Sequence, residues 1–330
     1  MKTVEVEGIP LSKICLGCAN FGTKEDKALS FEIMDFYFEQ GGRFFNTAHE
    51  YGNGLSETCL GDWVRTRGVR DQVILTSKGG EDRTAANWYA MHREDLLQDI
   101  DESLQRMGVE YLDFYMLHVD DPSVSIEEIL STMDEIRKSG KIRHYGCSNW
   151  SVERQREAEA YAKAHGIPGF VIDEIEFTLA RNNPNNVGLT RWLSPEFVAY
   201  HEETGKAVGG YSPLAAGFLT KLVRDGDLRN VPAWYIEWYT NPYTMEVGRR
   251  LKEVCAQTGW SATQIQLSWL LNNPYTFPSF LILGASSTAQ LADSLKAFEI
   301  TLSPEIRQYL RPDPVEFPPV DPEWRHPGKR

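Results

Sequence analysis

Phe44-Phe45-Asn46-Thr47-Ala48-His49-Glu50-Tyr51-Gly52 is the stretch from which the fold can be read. An apolar pair runs into a polar break, and a tyrosine stands just before a glycine. The pattern returns at Ile74-Leu75-Thr76-Ser77-Lys78 and at Phe114-Tyr115-Met116-Leu117-His118. Each is a short apolar run ending in a chemically useful residue, and such runs read as buried strands. Tyr, Lys and His at the ends of separate strands predict one shared polar site. An ordinary phenol titrates near ~10 and keeps its proton at neutral pH, which makes Tyr51 a candidate general acid.

Working outward, strands are predicted over 13–18, 43–46, 72–77, 112–117, 142–147, 171–176, 206–211 and 279–284. Between them lie helical patterns over 24–40, 55–66, 93–107, 125–138, 151–164, 194–203, 243–257, 261–272 and 288–297. The first carries Leu29, Ile33, Met34 and Tyr37 and stops at Gly41-Gly42; the fourth is expected to start at Ser125. Strands separated by helices imply parallel pairing with right-handed crossovers. Eight of them predict an α/β fold, a single-domain (β/α)8 TIM barrel over 1–330. Val4-Glu5-Val6 and the residues around Gly8-Ile9-Pro10 predict an N-terminal hairpin plug. A long loop, 213–240, is expected after the seventh barrel strand, and the proline-rich tail 312–330 is expected to be extended and partly loose.

Composition narrows the function classes. The 330 residues are 42% hydrophobic, ample for a core, and carry a formal charge of -13. That charge argues against a nucleic-acid partner or an anionic membrane surface. No apolar run approaches the ~20 residues that span a bilayer, and the start lacks a signal-peptide pattern. Five scattered cysteines read as reduced thiols, so the expected location is the cytoplasm. Cys15 and Cys18 form a CxxC without a second pair at zinc spacing, and no metal is expected. In a barrel of this kind the site lies at the C-terminal rim of the strands. Asn46, Lys78, His118, Ser148-Asn149, Glu174, Tyr211 and Gly284 all fall at or next to strand ends, which points to an enzyme.

The chain resembles the aldo-keto reductases. The likeness runs from about residue 11 to about 310 and rests on a series of short matches in order. They are Leu16-Gly17 with Phe21-Gly22, Phe45-Asn46-Thr47-Ala48 with Tyr51-Gly52, Thr76-Ser77-Lys78, Leu117-His118, Gly146-Cys147-Ser148-Asn149, Tyr211-Ser212-Pro213-Leu214, and Gly284-Ala285-Ser286-Ser287 with Gln290. The resemblance implies an NADP- or NAD-dependent oxidoreductase acting on a small-molecule carbonyl or alcohol. It implies Tyr51 as general acid/base, Lys78 as the charge that favours its ionised form, and His118 as the group that orients the carbonyl oxygen. Ser148, Asn149 and Glu174 would meet the nicotinamide amide, and Tyr211 would stack on its ring. Ser212, Leu214, Gly284, Ser286, Gln290 and Ser294 would hold the phosphates and adenosine.

The chain departs from the family pattern in four places. Asn46 stands where the family has the Asp that pairs with the lysine. Lys78 then loses an anionic partner, which would lower its own pKa; if it stays cationic, Tyr51 ionises more readily. Glu174 stands for a Gln, and a carboxylate cannot donate to the amide oxygen unless protonated. Ser294 stands for an Asn. The segment 284–295 has no Arg or Lys for a 2′-phosphate, the nearest being Lys221 and Lys296, so the choice between NAD and NADP stays open.

Other features have plainer readings beside functional ones. His49 either faces the substrate or caps its loop. Trp88, Trp234 and Trp238 lie in predicted rim loops, where they either stack on a sugar or polyol substrate or anchor those loops. Gly79-Gly80 reads as a turn, and Asp120-Asp121 as a solvated loop. Two other activities compete with the reductase: a cofactor-binding regulatory protein of low turnover because of Asn46, and a metal-dependent barrel built on His49, Glu50 and His118.

Overall fold

The structure, a computed structural model, describes residues 1–81, 89–183 and 190–312. A two-stranded antiparallel hairpin, β1 (Thr3–Val6) and β2 (Ile9–Ser12), comes first. The next eight strands are β3 (Ile14–Gly17), β4 (Phe44–Asn46), β5 (Ile74–Gly79), β6 (Leu112–Leu117), β7 (Ile142–Ser148), β8 (Ile172–Glu176), β9 (Ala207–Tyr211) and β10 (Ser279–Leu283). They close into a barrel in the order β10-β3-β4-β5-β6-β7-β8-β9. β10 pairs with β3, and each strand from β3 to β7 pairs with the next, all in parallel. The expected eight-stranded barrel with an N-terminal hairpin is therefore present.

Helices α1 (Lys27–Glu39), α2 (Leu55–Arg67), α3 (Arg93–Met107), α4 (Ile126–Lys138), α5 (Val152–His165) and α6 (Pro195–Thr204) follow successive strands. Their ends are fixed by local chemistry. The Ser125 side chain accepts from the Glu128 amide and starts α4, as the sequence predicts. In α3, Leu96, Asp99, Ile100, Ser103 and Met107 form the buried stripe, and Gly108 ends the helix in left-handed backbone at φ 64°.

The chain groups into two compact units. The first is Met1–Ile175, Leu193–Gly209 and Tyr275–Thr288. The second is Glu176–Trp192, Gly210–Pro274 and Ala289–Arg330. Phe218, Leu219, Val247, Leu251 and Ile265 are among the residues of its own apolar interior. That second unit corrects one expectation. The connection 213–240 is largely helical, containing α7 (Phe218–Asp225) and α8 (Ala233–Tyr239). α9 (Pro242–Thr258), α10 (Ala262–Leu271), α11 (Thr288–Leu295) and α12 (Pro304–Tyr309) complete the chain's helices among the described residues. α7 starts after Gly217 and ends at Gly226, and α8 is a run of aromatics. At eight and seven residues the two helices span only about two turns each, too short for a 3.6-residue period to stand out, and the four aromatics of α8 are weak helix formers besides. Of the expected tail, all beyond Pro312 lies outside the described residues.

In the first unit, Gly61 of α2 packs on the C-terminal turn of α3. A Cβ there would lie 2.1 Å from the Met107 carbonyl oxygen. Ala is the better helix former by about 1 kcal/mol, but forcing backbones apart costs about 1–3 kcal/mol or more. Gly61→Ala is therefore predicted to lower the Tm in a thermal melt; an equal or higher Tm would mean that α2 and α3 separate freely.

Candidate active site

Side chains alternate across a strand, so register decides which residues face the barrel interior. Phe44 on β4 packs against Phe280 on β10 and Phe114 on β6, with ring centroids 5.0 and 6.1 Å apart. None of these three strands is a neighbour of another in the sheet, so the three rings meet in the interior. Two residues on, Asn46 faces the same way, one layer nearer the C-terminal rim. Pairing carries that parity round the wall: Asn46 beside Thr76, Lys78 beside Met116, Met116 beside Gly146, and Ser148 beside Glu174. One inward layer thus collects Asn46, Lys78, Ser148 and Glu174 from four strands.

Lys78 is 3% exposed and its ammonium is fully engaged. It donates to Asn46 Oδ1 at 2.7 Å and to the Thr47 carbonyl at 2.8 Å. It reaches the Tyr51 hydroxyl at 3.4 Å and lies 3.6 Å from Glu174 Oε2. Asn46 Nδ2 donates to Glu174 Oε1 at 2.7 Å, a contact across the barrel between residues 128 apart in the chain. Burial alone pushes the Lys78 ammonium down; the facing Tyr51 and Glu174 charges outweigh it, and its pKa is raised. Burial pushes the Glu174 carboxyl up, with Lys78 and His118 pulling the other way. The direction is opposite to the fall that Asn46 suggested, with Tyr51 the larger and Glu174 the smaller of the two charges that oppose burial.

Tyr51 and His118 complete the cluster. The loop after β4 is tied along β5 by Thr47 N–H to Thr76 O and His49 N–H to Lys78 O, both at 2.9 Å. That holds the Tyr51 ring over Lys78, whose Nζ is 4.8 Å from the ring centroid. His118 follows β6, its amide donating to the Gly79 carbonyl at 2.9 Å. Its ring meets Tyr51 edge to face at 5.5 Å, and its Nδ1 lies 2.7 Å from Glu81 Oε2. Tyr51, Lys78, His118, Asn46 and Glu174 all belong to the first unit.

The other predicted residues are placed as follows. Ser148 Oγ donates to the Glu174 carbonyl at 2.9 Å, and Asn149 stands in left-handed backbone at φ 63° with Nδ2 bonded to Ser148 Oγ at 3.0 Å. Gly284 and Ser286 lie exposed after β10. In the second unit, Tyr211 ends β9, and the turn beyond it holds Ser212, Ala215 and Ala216 at φ 49°, 46° and 53°. Leu214 lies in that turn. Gln290 is exposed on α11, and the Ser294 hydroxyl donates back to the Gln290 carbonyl at 2.9 Å. His49 turns to carboxylates, its Nε2 2.9 Å from Glu102 Oε2. On α8, Trp234 stacks on Tyr235 at 3.7 Å and meets Trp238 edge to face at 5.0 Å. Trp238 packs against the second unit's interior, whereas Trp234 is 44% exposed. Trp88 lies outside the described residues. Asp120 pairs with Arg154, and Asp121 caps the Ser123 turn. Of the pair read as a turn, Gly79 is the last residue of β5, and only Gly80 bends the chain, at φ 84°.

Sequence reasoning missed Glu81 and the bond between Asn46 and Glu174. An acidic residue just past the Lys78 strand was the only signal for the first. The second needs the facing of strands that are not neighbours.

A nicotinamide carboxamide needs one donor and one acceptor. The Asn149 side chain has both, and the rim of the first unit presents it beside Ser148, so these residues fit such a cofactor.

Comparisons with known proteins agree with this architecture. The sequence profile of the Aldo/keto reductase family matches residues 13–311. The chain is 28% identical to an uncharacterized oxidoreductase, YrpG, of Bacillus subtilis, covering 92% of each chain. It is 26% identical to an aryl-alcohol dehydrogenase (NADP+) of Phanerodontia chrysosporium, covering 94% of this chain and 84% of that one. It is also 26% identical to norsolorinic acid reductase B of Dothistroma septosporum, covering 89% and 76%. A parallel barrel with a buried lysine beside a rim tyrosine, matched over nearly its whole length by one profile, belongs to the aldo/keto reductase family and is an NAD(P)-dependent oxidoreductase.

Proposed function

We propose that the protein interconverts a carbonyl compound and its alcohol, with Tyr51 as general acid and base. The observation that carries this reading is the 3.4 Å contact between Lys78 Nζ and the Tyr51 hydroxyl. When bound, a reduced nicotinamide supplies a hydride to the carbonyl carbon. Tyr51 gives its proton to the oxygen as negative charge develops there, and the product is the alcohol. In the reverse direction the phenolate takes that proton back. Lys78 stabilises the phenolate in both directions. Ser148 and Asn149 hold the nicotinamide amide in this reading.

His118 adds a second donor under a condition set by Glu81. With Nδ1 donating to Glu81, a neutral ring carries only a lone pair at Nε2. It donates to a carbonyl oxygen there only when both ring nitrogens carry protons, with Nδ1–H held by Glu81.

The competing regulatory reading rested on Asn46. Glu174 at 3.6 Å from Lys78 gives the lysine an anionic partner, which supports turnover instead. The finer proposal is a sugar or other polyhydroxylated substrate. Its support is Trp234, 44% exposed with one face stacked on Tyr235, since indole faces also stack on sugar rings. The choice between NAD and NADP is to be read from paired binding curves for NADH and NADPH.

Tyr51→Phe is predicted to lower kcat by about 10²- to 10⁴-fold while leaving cofactor affinity, read by fluorescence titration, nearly intact. Turnover that survives this change would remove Tyr51 from the chemistry. Glu81→Leu strips a charged hydrogen bond worth about 1.5–3 kcal/mol, so kcat/KM should fall about ten- to hundredfold. Glu81→Gln keeps an acceptor and should lose less; equal losses would point to packing. A panel of aldoses, ketosugars and aryl aldehydes run on Trp234→Ala should show losses confined to the sugars. Uniform loss would count against stacking.

A further inference from the structure

We infer that Glu174 is the counter-ion of Lys78, a positioning residue through which positions 46 and 174 share a single carboxylate between them. This rests on the reading of Tyr51 as the acid that Lys78 assists. Asn46 sits between an ammonium and a carboxylate, and each contact is 2.7 Å. An amide in that place has one possible orientation, oxygen to the cation and nitrogen to the anion. Glu174 is 2% exposed, with Oε1 taken by Asn46 and Oε2 facing Lys78 at 3.6 Å. The resemblance gives this residue to the cofactor amide, but its carboxylate is already committed inward. Gly209 makes the space: a Cβ there would come within 3.1 Å of Glu174 Cγ.

Among the described residues, the other titratable groups facing the pair are Tyr51, His118, Cys15 and Cys18. Burial pushes both thiols up, so they stay neutral and add no charge. A carboxylate at position 46 as well would set two anions at hydrogen-bond distance in a dry layer, and one would have to take a proton. The two positions are therefore coupled. A carboxylate at either one serves Lys78, and a carboxylate at both or at neither does not.

The test is a cycle of Asn46→Asp, Glu174→Gln and the double variant, each run as a full pH profile of carbonyl reduction beside Tyr51→Phe. Glu174→Gln removes a negative charge from Lys78 and Tyr51 alike, so both lose protons more readily. The alkaline limb should move to lower pH by about one unit or more. kcat should fall about ten- to hundredfold, with NADPH and NADH affinity held within about twofold. Asn46→Asp alone should also impair turnover and move the limb to higher pH. The double variant should recover to within about threefold of wild type, far above what independent sites would give. A wild-type profile in Glu174→Gln, a loss confined to cofactor affinity, or a double variant worse than Glu174→Gln would each overturn the inference. Should Glu174→Gln not fold, a folded, active double variant supports it and an inactive one refutes it. If Tyr51→Phe itself stays active, the functional reading has failed, and that result is distinct from all of these.

Discussion

An ammonium buried at the end of a barrel strand has to be balanced, and the layer around Lys78 is arranged by that requirement. Taking each ion out of water costs several kcal/mol even after relaxation. Two opposite charges about 4 Å apart recover only about 4 kcal/mol at an effective dielectric near 20. The pair therefore stands only with further hydrogen bonds. Asn46 supplies two of them, one to each ion, and the Thr47 carbonyl supplies another. The amide holds the two charges apart at 3.6 Å and leaves one face of the ammonium for Tyr51.

The fold serves this arrangement through parity. Once Phe44 is seated among Phe114 and Phe280, register leaves no choice about which way Asn46 and Lys78 point. The chemistry then needs only short loops. The residues after β4 are laced to β5 by two backbone bonds, and this brings a phenol over the lysine. His118 is set by one more backbone bond and by Glu81. Positions fixed by strands and first turns in this way are rigid, as a proton-transferring group requires.

Much of this was legible in the sequence. The strand–helix alternation gave the barrel because buried parallel strands read as uninterrupted apolar runs. Helix starts such as Ser125 were legible because capping is local chemistry. Tyr51, Lys78 and His118 could be grouped because each stands at or shortly after the end of a strand, and strand ends share one rim. The contact between Asn46 and Glu174 was not legible, since it depends on two strands that never pair. Taken one at a time, the two residues read as defects, a lost charge and a lost donor; facing each other, they are one carboxylate moved across the barrel. α7 and α8 were missed for another reason: each is only about two turns long, so its periodicity is too short to read, and packing in the second unit sets its form.

The charge state of Lys78 tests the account most directly. A heteronuclear NMR titration of the Lys78 side-chain nitrogen, between neutral pH and pH ~11, reads that state without any substrate. The account predicts an ammonium that persists above the ordinary lysine midpoint near ~10.4. A neutral amine at pH 8 would contradict it, because Glu174 would then not be balancing the lysine.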